Sequence, residues 1–300
     1  MAQNPRDIRN RIRGIRNIGQ VTGAMDMVAS SRLRRAQASA QAARPYAQRI
    51  HEILQEVAAA CPALEQHPLL QRRPVHKACV VVFTSDKGLC GGYNSNVLNL
   101  AEKVAQGLTA SETRFVVIGR KGIRHIRSLG LPIDQTFPAP GKEVDIQEIS
   151  AIAKTLITGY VTHAYDEIHL VFSSFVSAMR TEPTHTLLLP LGTLSEAVEA
   201  GEDGGETPAP ARKEIDFIFE PSVGKLADYL LPLYIEVLIN RALLDSSASE
   251  HAARMVAMRN ASENADELIK QLSKTYNRVR QASITTEILE VVSGAEAFHK

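Results

Sequence analysis

The chain of 300 residues has no tryptophan, few aromatic residues and only three cysteines. Because 5% of the residues are aromatic, contacts between helices must rely on aliphatic and small side chains. Cys61, Cys79 and Cys90 are an odd set without the spacing of metal ligands, which indicates reduced thiols of a cytosolic protein. Cys79 lies in an apolar, strand-like run, so we expect it in the core.

Long apolar runs and an overall excess of charge are also missing. No apolar stretch reaches the roughly 18–20 residues that a membrane-spanning helix needs, and no apolar segment typical of a secretory signal follows the N-terminus. The formal net charge of +1 predicts no strong overall attraction to nucleic acid. The charge is uneven, however: the first fifty residues carry ten arginines against only Asp7 and Asp26.

The N-terminal segment predicts a coiled-coil helix. Apolar or small residues recur every seven positions from Ile8 to Ile50, and a second series, offset by four, runs from Ile12 to Leu54. Asp26 is the one charged member of these two series. The early positions are isoleucines and the later ones alanines, so a partner helix can approach closely there, and Pro45 should bend the helix locally.

The C-terminal segment predicts a second, longer helix. From Leu230 to Val292, apolar or small residues recur at steps of three and four, and no proline follows Pro232. A helix of this length needs something to pack on, and the comparable helix is the N-terminal one. We therefore predict that the two wind as an antiparallel coiled coil, with the tip of the longer helix projecting beyond its partner. Apolar positions near the end include Leu268, Ala282, Leu289 and Val292.

The middle of the chain alternates between strand-like and helix-like segments. Strands are predicted over 79–83, 114–119, 167–177 and 184–191, and helices over 95–108, 121–129 and 145–165. This alternation predicts a Rossmann-like α/β fold with a mainly parallel sheet covered by helices. The acidic, Gly- and Pro-rich stretch near 196–213 predicts a surface loop or disordered insertion, and 214–222 one more strand. The predicted domains are 1–60 and 223–300, the coiled-coil helices, and 75–222, the α/β domain.

A glycine-rich turn, "TSDKGLCGGYNSN" (Thr84–Asn96), follows the first strand as in many phosphate-binding sites. It matches neither the P-loop pattern G-x-x-x-x-G-K-[ST] nor the dinucleotide pattern G-x-G-x-x-G. We interpret it as a tight strand-to-helix turn in which Asn94 or Ser95 caps the helix. A stand-alone enzyme that binds nucleotide at this turn remains an alternative at this point.

No other group of residues predicts chemistry. His163, His169 and His185 lack the spacing of metal ligands, and Ser173 and Ser174 lack the context of a catalytic nucleophile. We therefore predict no catalytic residue, cofactor or metal on this chain. A third hypothesis is a nucleic-acid binder with an arginine-rich arm, whose affinity should fall steeply as the salt concentration rises. The chain lacks aromatic residues that would stack on bases and a motif that would recognise a base sequence.

Both ends of the chain resemble one family. "ITTEILEVVSGAEA" (Ile284–Ala297) is similar to the C-terminal signature of the gamma subunit of bacterial F-type ATP synthases, I-T-x-E-x-x-E-x-x-x-G-A. Further similar stretches are "AMDMVASSRLRRAQ" (24–37), "RPYA" (44–47), "SDKGLCGGYN" (85–94), "ARMVAM" (253–258) and "YNRVRQASIT" (276–285). The resemblance runs along essentially the whole chain.

The resemblance implies a mechanical function. Gamma subunits are present in one copy and form the central shaft in a ring of three alpha and three beta subunits. Their α/β domain rests with the epsilon subunit on the membrane c-ring, at the cytoplasmic face of the bacterial inner membrane. Proton flow turns the shaft, and the nucleotide sites lie on other chains. Nucleic acid is not an expected partner.

The resemblance also implies contact residues. Arg280, Gln281, Thr285 and Glu287 match positions that contact the beta subunits, and Met25 and Arg254 match positions near their lever loops. Met25 and Thr285 could equally be ordinary seam positions. Gly23 stands where the family usually has lysine, which removes a positive charge and weakens the helix by ~1 kcal/mol relative to alanine. The insertion has no cysteine, so thiol switching is not expected.

Overall fold

The computed structural model describes residues 4–60, 67–141, 144–191 and 223–298. In chain order, the elements are α1 (Pro5–Ala60), β1 (Lys77–Phe83), α2 (Tyr93–Gly107), β2 (Glu112–Ile118), α3 (Arg120–Ser128), β3 (Ile133–Phe137), α4 (Ile146–Val161), β4 (Glu167–Phe175), β5 (Thr181–Leu189) and α5 (Val223–Phe298). The chain divides into two compact units. The coiled-coil unit consists of the described parts of Met1–Ser30 and Arg254–Lys300, and the sheet unit of the described parts of Ser31–Ala253.

The terminal helices pack together, as the heptad pattern predicts. Every position of the two apolar series between Ile8 and Leu54 is buried or half-buried, Asp26 included. Within the sheet unit, Leu54 of α1 and Leu231 of α5 belong to one buried cluster. Pro45 lies inside α1, which is helical on both sides of it.

A five-stranded sheet with the order β3-β2-β1-β4-β5 forms the centre of the sheet unit. The pairs β3–β2, β2–β1 and β1–β4 are parallel, and the edge strand β5 is antiparallel to β4. The prediction of a mainly parallel sheet is therefore confirmed. The predicted strand 214–222 and insertion 196–213 lie outside the described residues.

Two details of the predicted elements were wrong. The sequence "IDQTF" forms the strand β3 at an edge of the sheet, where two of its five residues are exposed and three are half-buried, so no apolar run is needed. The predicted helix 145–165 ends at Val161, because His163 adopts a positive φ of 59° that stops the helix. Tyr165 instead belongs to the buried core.

The two faces of the sheet carry separate apolar clusters. One includes Cys79, Leu156 of α4 and Ile235 of α5, and the other includes Val80, Ala101 of α2 and Ile126 of α3. Cys79 and Cys90 are both buried free thiols, while Cys61 lies outside the described residues. Burial raises the pKa of the Cys79 thiol, so it stays protonated and serves as a core side chain, as predicted.

The carboxyl ends of β1 and β2 approach each other closely at Gly119. This residue has a φ of +92°, and a Cβ atom there would lie 2.1 Å from the carbonyl oxygen of Thr84. The Thr84 hydroxyl donates to the carbonyl oxygen of Ile118 at 2.8 Å and accepts from the amide of Gly122 at 2.9 Å. A side chain at position 119 therefore cannot be accommodated without separating the two strand ends.

We predict that Gly119→Ala destabilises the sheet unit by about 2 kcal/mol or more, through both backbone strain and the clash with Thr84. Chemical denaturation followed by far-UV circular dichroism measures the change. The control is Gly107→Ala, at the end of α2, where an added Cβ meets nothing within 4 Å. Equal stabilities of the two variants would contradict the close approach of β1 and β2.

A hydrogen-bonded histidine pair joins β4 to the edge strand β5. His185 Nε2 lies 3.0 Å from His169 Nδ1, and His169 Nε2 lies 3.3 Å from a carboxylate oxygen of Glu167. Both contacts are satisfied when both rings are neutral, with His185 donating to His169 and His169 donating to Glu167. Burial, and secondarily the neighbouring His185, lower the pKa of His169 from 6.5 to about 4.

This lowered pKa predicts a loss of stability on mild acidification. The unfolded chain takes up a proton on His169 below its ordinary pKa of 6.5, whereas the folded protein does so only near pH 4. The free energy of unfolding should therefore fall by up to about 3 kcal/mol between these pH values. Denaturation of His169→Gln as a function of pH should show a smaller fall over this window.

Two neighbouring carboxylates also have shifted pKa values, and they contribute to the pH dependence in opposite directions. The lowered pKa of Asp166, which accepts from two backbone amides, costs stability only at more acidic pH. The pKa of Glu167 is raised by burial, so its protonation opposes the histidine effect. An unchanged slope in His169→Gln would contradict the assignment to His169.

Among the described residues, no helix combines the length and the apolar character that crossing a lipid bilayer requires.

Candidate coiled-coil interface

Contacts between α1 and α5 define an antiparallel pairing in the coiled-coil unit. Asp26 lies opposite Arg259, with 3.6 Å between Oδ2 and Nε. Nearer the N-terminus of α1, Gly19 lies opposite Ser262, and Arg9 opposite Tyr276. Residue numbers therefore fall on α1 as they rise on α5, which confirms the predicted antiparallel arrangement.

Small residues let the two helices approach closely in this unit. A Cβ atom at Gly19 would lie 3.4 Å from the Cβ of Ala265, and one at Gly23 would lie 3.8 Å from the Ser262 hydroxyl oxygen. The Ser262 hydroxyl donates to the carbonyl oxygen of Gly19 at 3.4 Å. Ala29 is also buried, so aliphatic and small side chains fill this interface as the composition predicts.

Asp26, the charged member of the apolar series, is explained by its partner on α5. Its side chain is only 23% exposed, and one carboxylate oxygen faces Arg259. The other oxygen, Oδ1, is buried and accepts no hydrogen bond within the described residues. An ion pair of this kind fixes which residues meet across the seam while contributing little net stability.

The structure separates the six predicted contact residues into two groups. Met25 and Arg254 are both half-buried. Arg280, Gln281, Thr285 and Glu287 are all exposed on α5. At 1.5 Å per residue, Arg254 and Arg280 lie about 39 Å apart along one helix, so the two groups lie at different heights on the coiled-coil unit.

Local hydrogen bonds occupy part of the exposed group. The Thr285 hydroxyl donates to the carbonyl oxygen of Gln281 at 2.9 Å, one turn earlier on α5. The Ser283 hydroxyl donates to a carboxylate oxygen of Glu287 at 3.3 Å. The guanidinium of Arg280 lies 5.8 Å from the centre of the Tyr276 ring. These contacts orient the side chains but leave the outer face of the helix open to a partner.

The last described turns of α5 expose apolar side chains. All residues from 284 to 293 are exposed, and Leu289, Val291 and Val292 expose half or more of their surface. The sequence pattern placed Leu268, Ala282, Leu289 and Val292 among packing positions, and all four are exposed. Ala282, Leu289 and Val292 are exposed because α1 begins at Pro5 and Arg9 lies opposite Tyr276, so these positions extend past the start of α1. Leu268 lies within the paired length of the helices, between Ala265 and Tyr276, but on an exposed face of α5. The predicted projecting tip is confirmed.

Sequence reasoning missed two residues at this interface, Tyr276 and Arg9. The spacing of Tyr276 and Arg280, one helical turn apart, could have indicated their contact. The contact with Arg9 could not be found, because it depends on the register between α1 and α5.

At the glycine-rich turn of the sheet unit, side chains bind one another. The Asn94 carbonyl oxygen accepts from the Ser85 amide at 3.0 Å, and the Asn94 amide group donates to the Ser85 hydroxyl at 2.9 Å and to the sulfur of Cys90 at 3.2 Å. The prediction that Asn94 or Ser95 caps the helix was wrong, since Gly92 occupies the N-cap of α2 without a side-chain cap. Asn94 instead ties the start of α2 to the end of β1.

The side chain of Asp86, which also follows β1, accepts hydrogen bonds from backbone amides. Asp86 accepts from the amide of Arg120 at 3.0 Å and from that of Ala139 at 3.4 Å. It therefore joins the start of α3 to the loop after β3. The polar groups that follow β1 serve to connect neighbouring loops.

Comparisons with known proteins agree with the coiled-coil architecture and the terminal motifs. A family model described as ATP synthase matches residues 4–298. The ATP synthase gamma chain of Desulforudis audaxviator is 39% identical over 98% of this chain and 98% of its own length. The gamma chain of Cyanothece sp. is 41% identical over 98% of this chain and 99% of its own length.

The chain belongs to the ATP synthase gamma chain family.

Solved structures agree with this assignment. The central stalk and c-ring structure of the Tetrahymena thermophila mitochondrial ATP synthase contains a chain that is 26% identical, with a TM-score of 0.61. The match covers 81% of this chain and 99% of that one. A chain from the Euglena gracilis mitochondrial ATP synthase, in a structure of OSCP, F1 and c-ring, covers 98% of this chain and 94% of its own at 17% identity and a TM-score of 0.65, which shows the shared fold.

For a gamma chain with glycine at position 23, we predict that Gly23→Ala stabilises the coiled-coil unit by about 0.5–1 kcal/mol. Alanine has the higher helix propensity, and its Cβ would be in ordinary contact with Ser262 at 3.8 Å. Thermal melting measured at the α-helical circular dichroism band tests this expectation.

The matched control is Gly14→Ala, because an added Cβ at Gly14 meets nothing within 4 Å and reports helix propensity alone. If Gly14→Ala stabilised the protein while Gly23→Ala destabilised it, the helices would have to approach more closely at Gly23 than the structure shows.

Proposed function

We infer that this chain is the rotor subunit of an ATP synthase, the central stalk that turns within a ring of three alpha and three beta subunits. The observation that carries this inference is the exposed apolar tip of α5, on a coiled coil that matches gamma chains over nearly their whole length. An apolar surface of this kind calls for a partner that covers it. A sleeve formed by surrounding subunits would supply that cover.

The asymmetry of the coiled-coil unit explains how such a shaft could act on identical partners. A rotor can shift the conformation of a nucleotide site only through contacts that differ between its conformations. The two helices differ in length, α1 is basic near its start, and α5 is apolar near its end. The surface of the coiled-coil unit therefore differs from one side to the next around its long axis. Each of three identical subunits would therefore meet different side chains at any moment, and exchange them as the shaft turns.

We assign the contacts with the beta subunits to the six residues identified from the family motifs. Met25 and Arg254 would serve one contact, and Arg280, Gln281, Thr285 and Glu287 another. Their separation of about 39 Å along α5 supports two contacts at different heights on the partner ring. Exposed ion pairs contribute about 0–1 kcal/mol each, which suits contacts that break and reform during rotation.

We further propose that the chain carries no catalytic site of its own and that its partners bind the nucleotide. The engagement of Asn94 and Asp86 with neighbouring loops supports this assignment, because neither side chain is directed at an open phosphate cradle. The α/β domain, 75–222, would rest with an epsilon subunit on the c-ring, while 1–60 and 223–300 act as shaft helices. The chain would then be peripheral, at the cytoplasmic face of a bacterial inner membrane.

We predict that deleting the residues after Ile284 uncouples the complex without unfolding the sheet unit. The deletion removes the apolar tip and two contact residues, Thr285 and Glu287, but no residue of the sheet. ATP synthesis driven by a proton gradient should fall at least several-fold, while thermal melting of the sheet unit stays unchanged. Normal rotation and synthesis after truncation back to Leu268 would contradict the assignment of contacts to this end of α5.

Assembly provides the more direct test of the proposed function. Co-expressed with alpha and beta subunits, the chain should purify in one copy with three of each. Nucleotide binding by the isolated chain at micromolar concentration would instead favour a stand-alone enzyme, and salt-sensitive binding to DNA a nucleic-acid arm. Asn94→Ala, which disrupts the glycine-rich turn, should leave nucleotide binding by the assembled complex unchanged.

A further inference from the structure

One tyrosine of α5 contacts two arginines from two different helices. The hydroxyl oxygen of Tyr276 accepts a hydrogen bond from Nη2 of Arg9 on α1 at 2.6 Å. The guanidinium carbon of Arg9 lies 5.4 Å from the centre of the tyrosine ring, and that of Arg280 lies 5.8 Å from it. Both distances are within the range of a cation–π interaction. Tyr276 therefore connects the start of α1 to Arg280.

This arrangement concentrates positive charge. Both guanidinium groups are exposed, and within the described residues neither has a carboxylate at ion-pair distance. Arg6, Arg13 and Arg16 share a face of α1 with Arg9, because they follow one another at steps of three and four. Two cations beside one ring repel each other, and the ring and its hydroxyl offset only part of that cost. A carboxylate that reaches both guanidinium groups would offset the remaining repulsion.

We propose that Tyr276 is a positioning residue, which holds Arg9 and Arg280 together as a two-guanidinium clamp for a carboxylate-rich segment of a surrounding subunit. This inference rests on the proposed function and adds Tyr276 and Arg9 to the contact residues. Guanidinium groups are planar and bind carboxylates in a bidentate manner, so their orientation matters as well as their charge. The ring of Tyr276 supplies that orientation, and its hydroxyl brings in Arg9.

The position of the clamp also fits a contact that spans both helices. Arg280 precedes the turns of α5 that extend beyond α1, and Arg9 lies within the first two turns of α1. A partner segment bound here would therefore contact the coiled coil at the place where two helices become one. Binding through both helices would depend on the register between α1 and α5, which a contact with Arg280 alone would not.

The test uses the assembled complex with alpha and beta subunits and measures steady-state ATP hydrolysis. Tyr276→Leu removes ring and hydroxyl and should lower turnover about three- to tenfold, while Tyr276→Phe, which keeps the ring, should lower it less. The control is Tyr229→Leu, at a second tyrosine of α5 that is 69% exposed, and no effect is expected there. Wild-type turnover in Tyr276→Leu would overturn the proposal.

A double-mutant cycle separates positioning from simple packing. If Tyr276 acts through the two arginines, Tyr276→Leu should cost little more in a background of Arg9→Gln and Arg280→Gln. The loss caused by Tyr276→Leu alone should also shrink in concentrated salt, which screens exposed charges. Fully additive losses, or a loss independent of salt, would show a structural role and overturn the proposal.

The chemistry of the partner can be captured directly. Arg280→Lys places an amine at the clamp, which a water-soluble carbodiimide couples to a carboxylate within reach. Mass spectrometry should then identify a link from position 280 to an aspartate or glutamate of a surrounding subunit, and the link should weaken when Tyr276→Leu is added. Failure to form any such link would overturn the assignment of a carboxylate partner.

The two proposals fail in different ways. A wild-type chain that does not assemble with alpha and beta subunits refutes the proposed function, and the clamp with it. A wild-type chain that assembles and supports hydrolysis, while the Tyr276 variants behave like wild type, refutes the clamp alone.

Discussion

The antiparallel packing of α1 against α5 is the constraint on which the rest of the structure depends. Neither helix could be stable at its length without a partner, since propensity alone does not hold dozens of residues in one helix in water. Gly19, Ala29 and Ala265 allow a close approach between backbones, and Asp26 with Arg259 marks the register. A shift of that register would move Arg9 away from Tyr276 and change how much of α5 projects.

The same constraint accounts for the exposed surface. Because α1 begins at Pro5, the final turns of α5 have no helix to pack on, and Leu289, Val291 and Val292 face outward. A monomeric protein would gain nothing from such a surface, whereas a shaft surrounded by other subunits needs one. The exposed apolar tip therefore follows from the unequal reach of the two helices, whereas the close packing of the seam follows from its small residues.

Much of this fold could be predicted from the sequence, and the failures have physical causes. The helix seam could be predicted because side chains that recur every seven residues lie on the buried face of a coiled coil. The parallel strands could be predicted because strands that are buried on both faces of a sheet form continuous apolar runs. The edge strand β3 was not, since "IDQTF" carries no such run. The role of Asn94 was also missed, because its partner Ser85 is fixed by how the turn folds back and not by local propensity.

At the coiled-coil interface, the sequence located the contact residues on their helices but not their neighbours. Family motifs identify Arg280 as a contact, yet nothing in a linear pattern says that a tyrosine one turn earlier also holds an arginine from the other end of the chain. That information lies in the register, and the register follows from where small residues and one half-buried carboxylate lie on the seam. The seam therefore does more than hold the shaft together. It decides which charges from two distant parts of the sequence are presented to a partner as one surface.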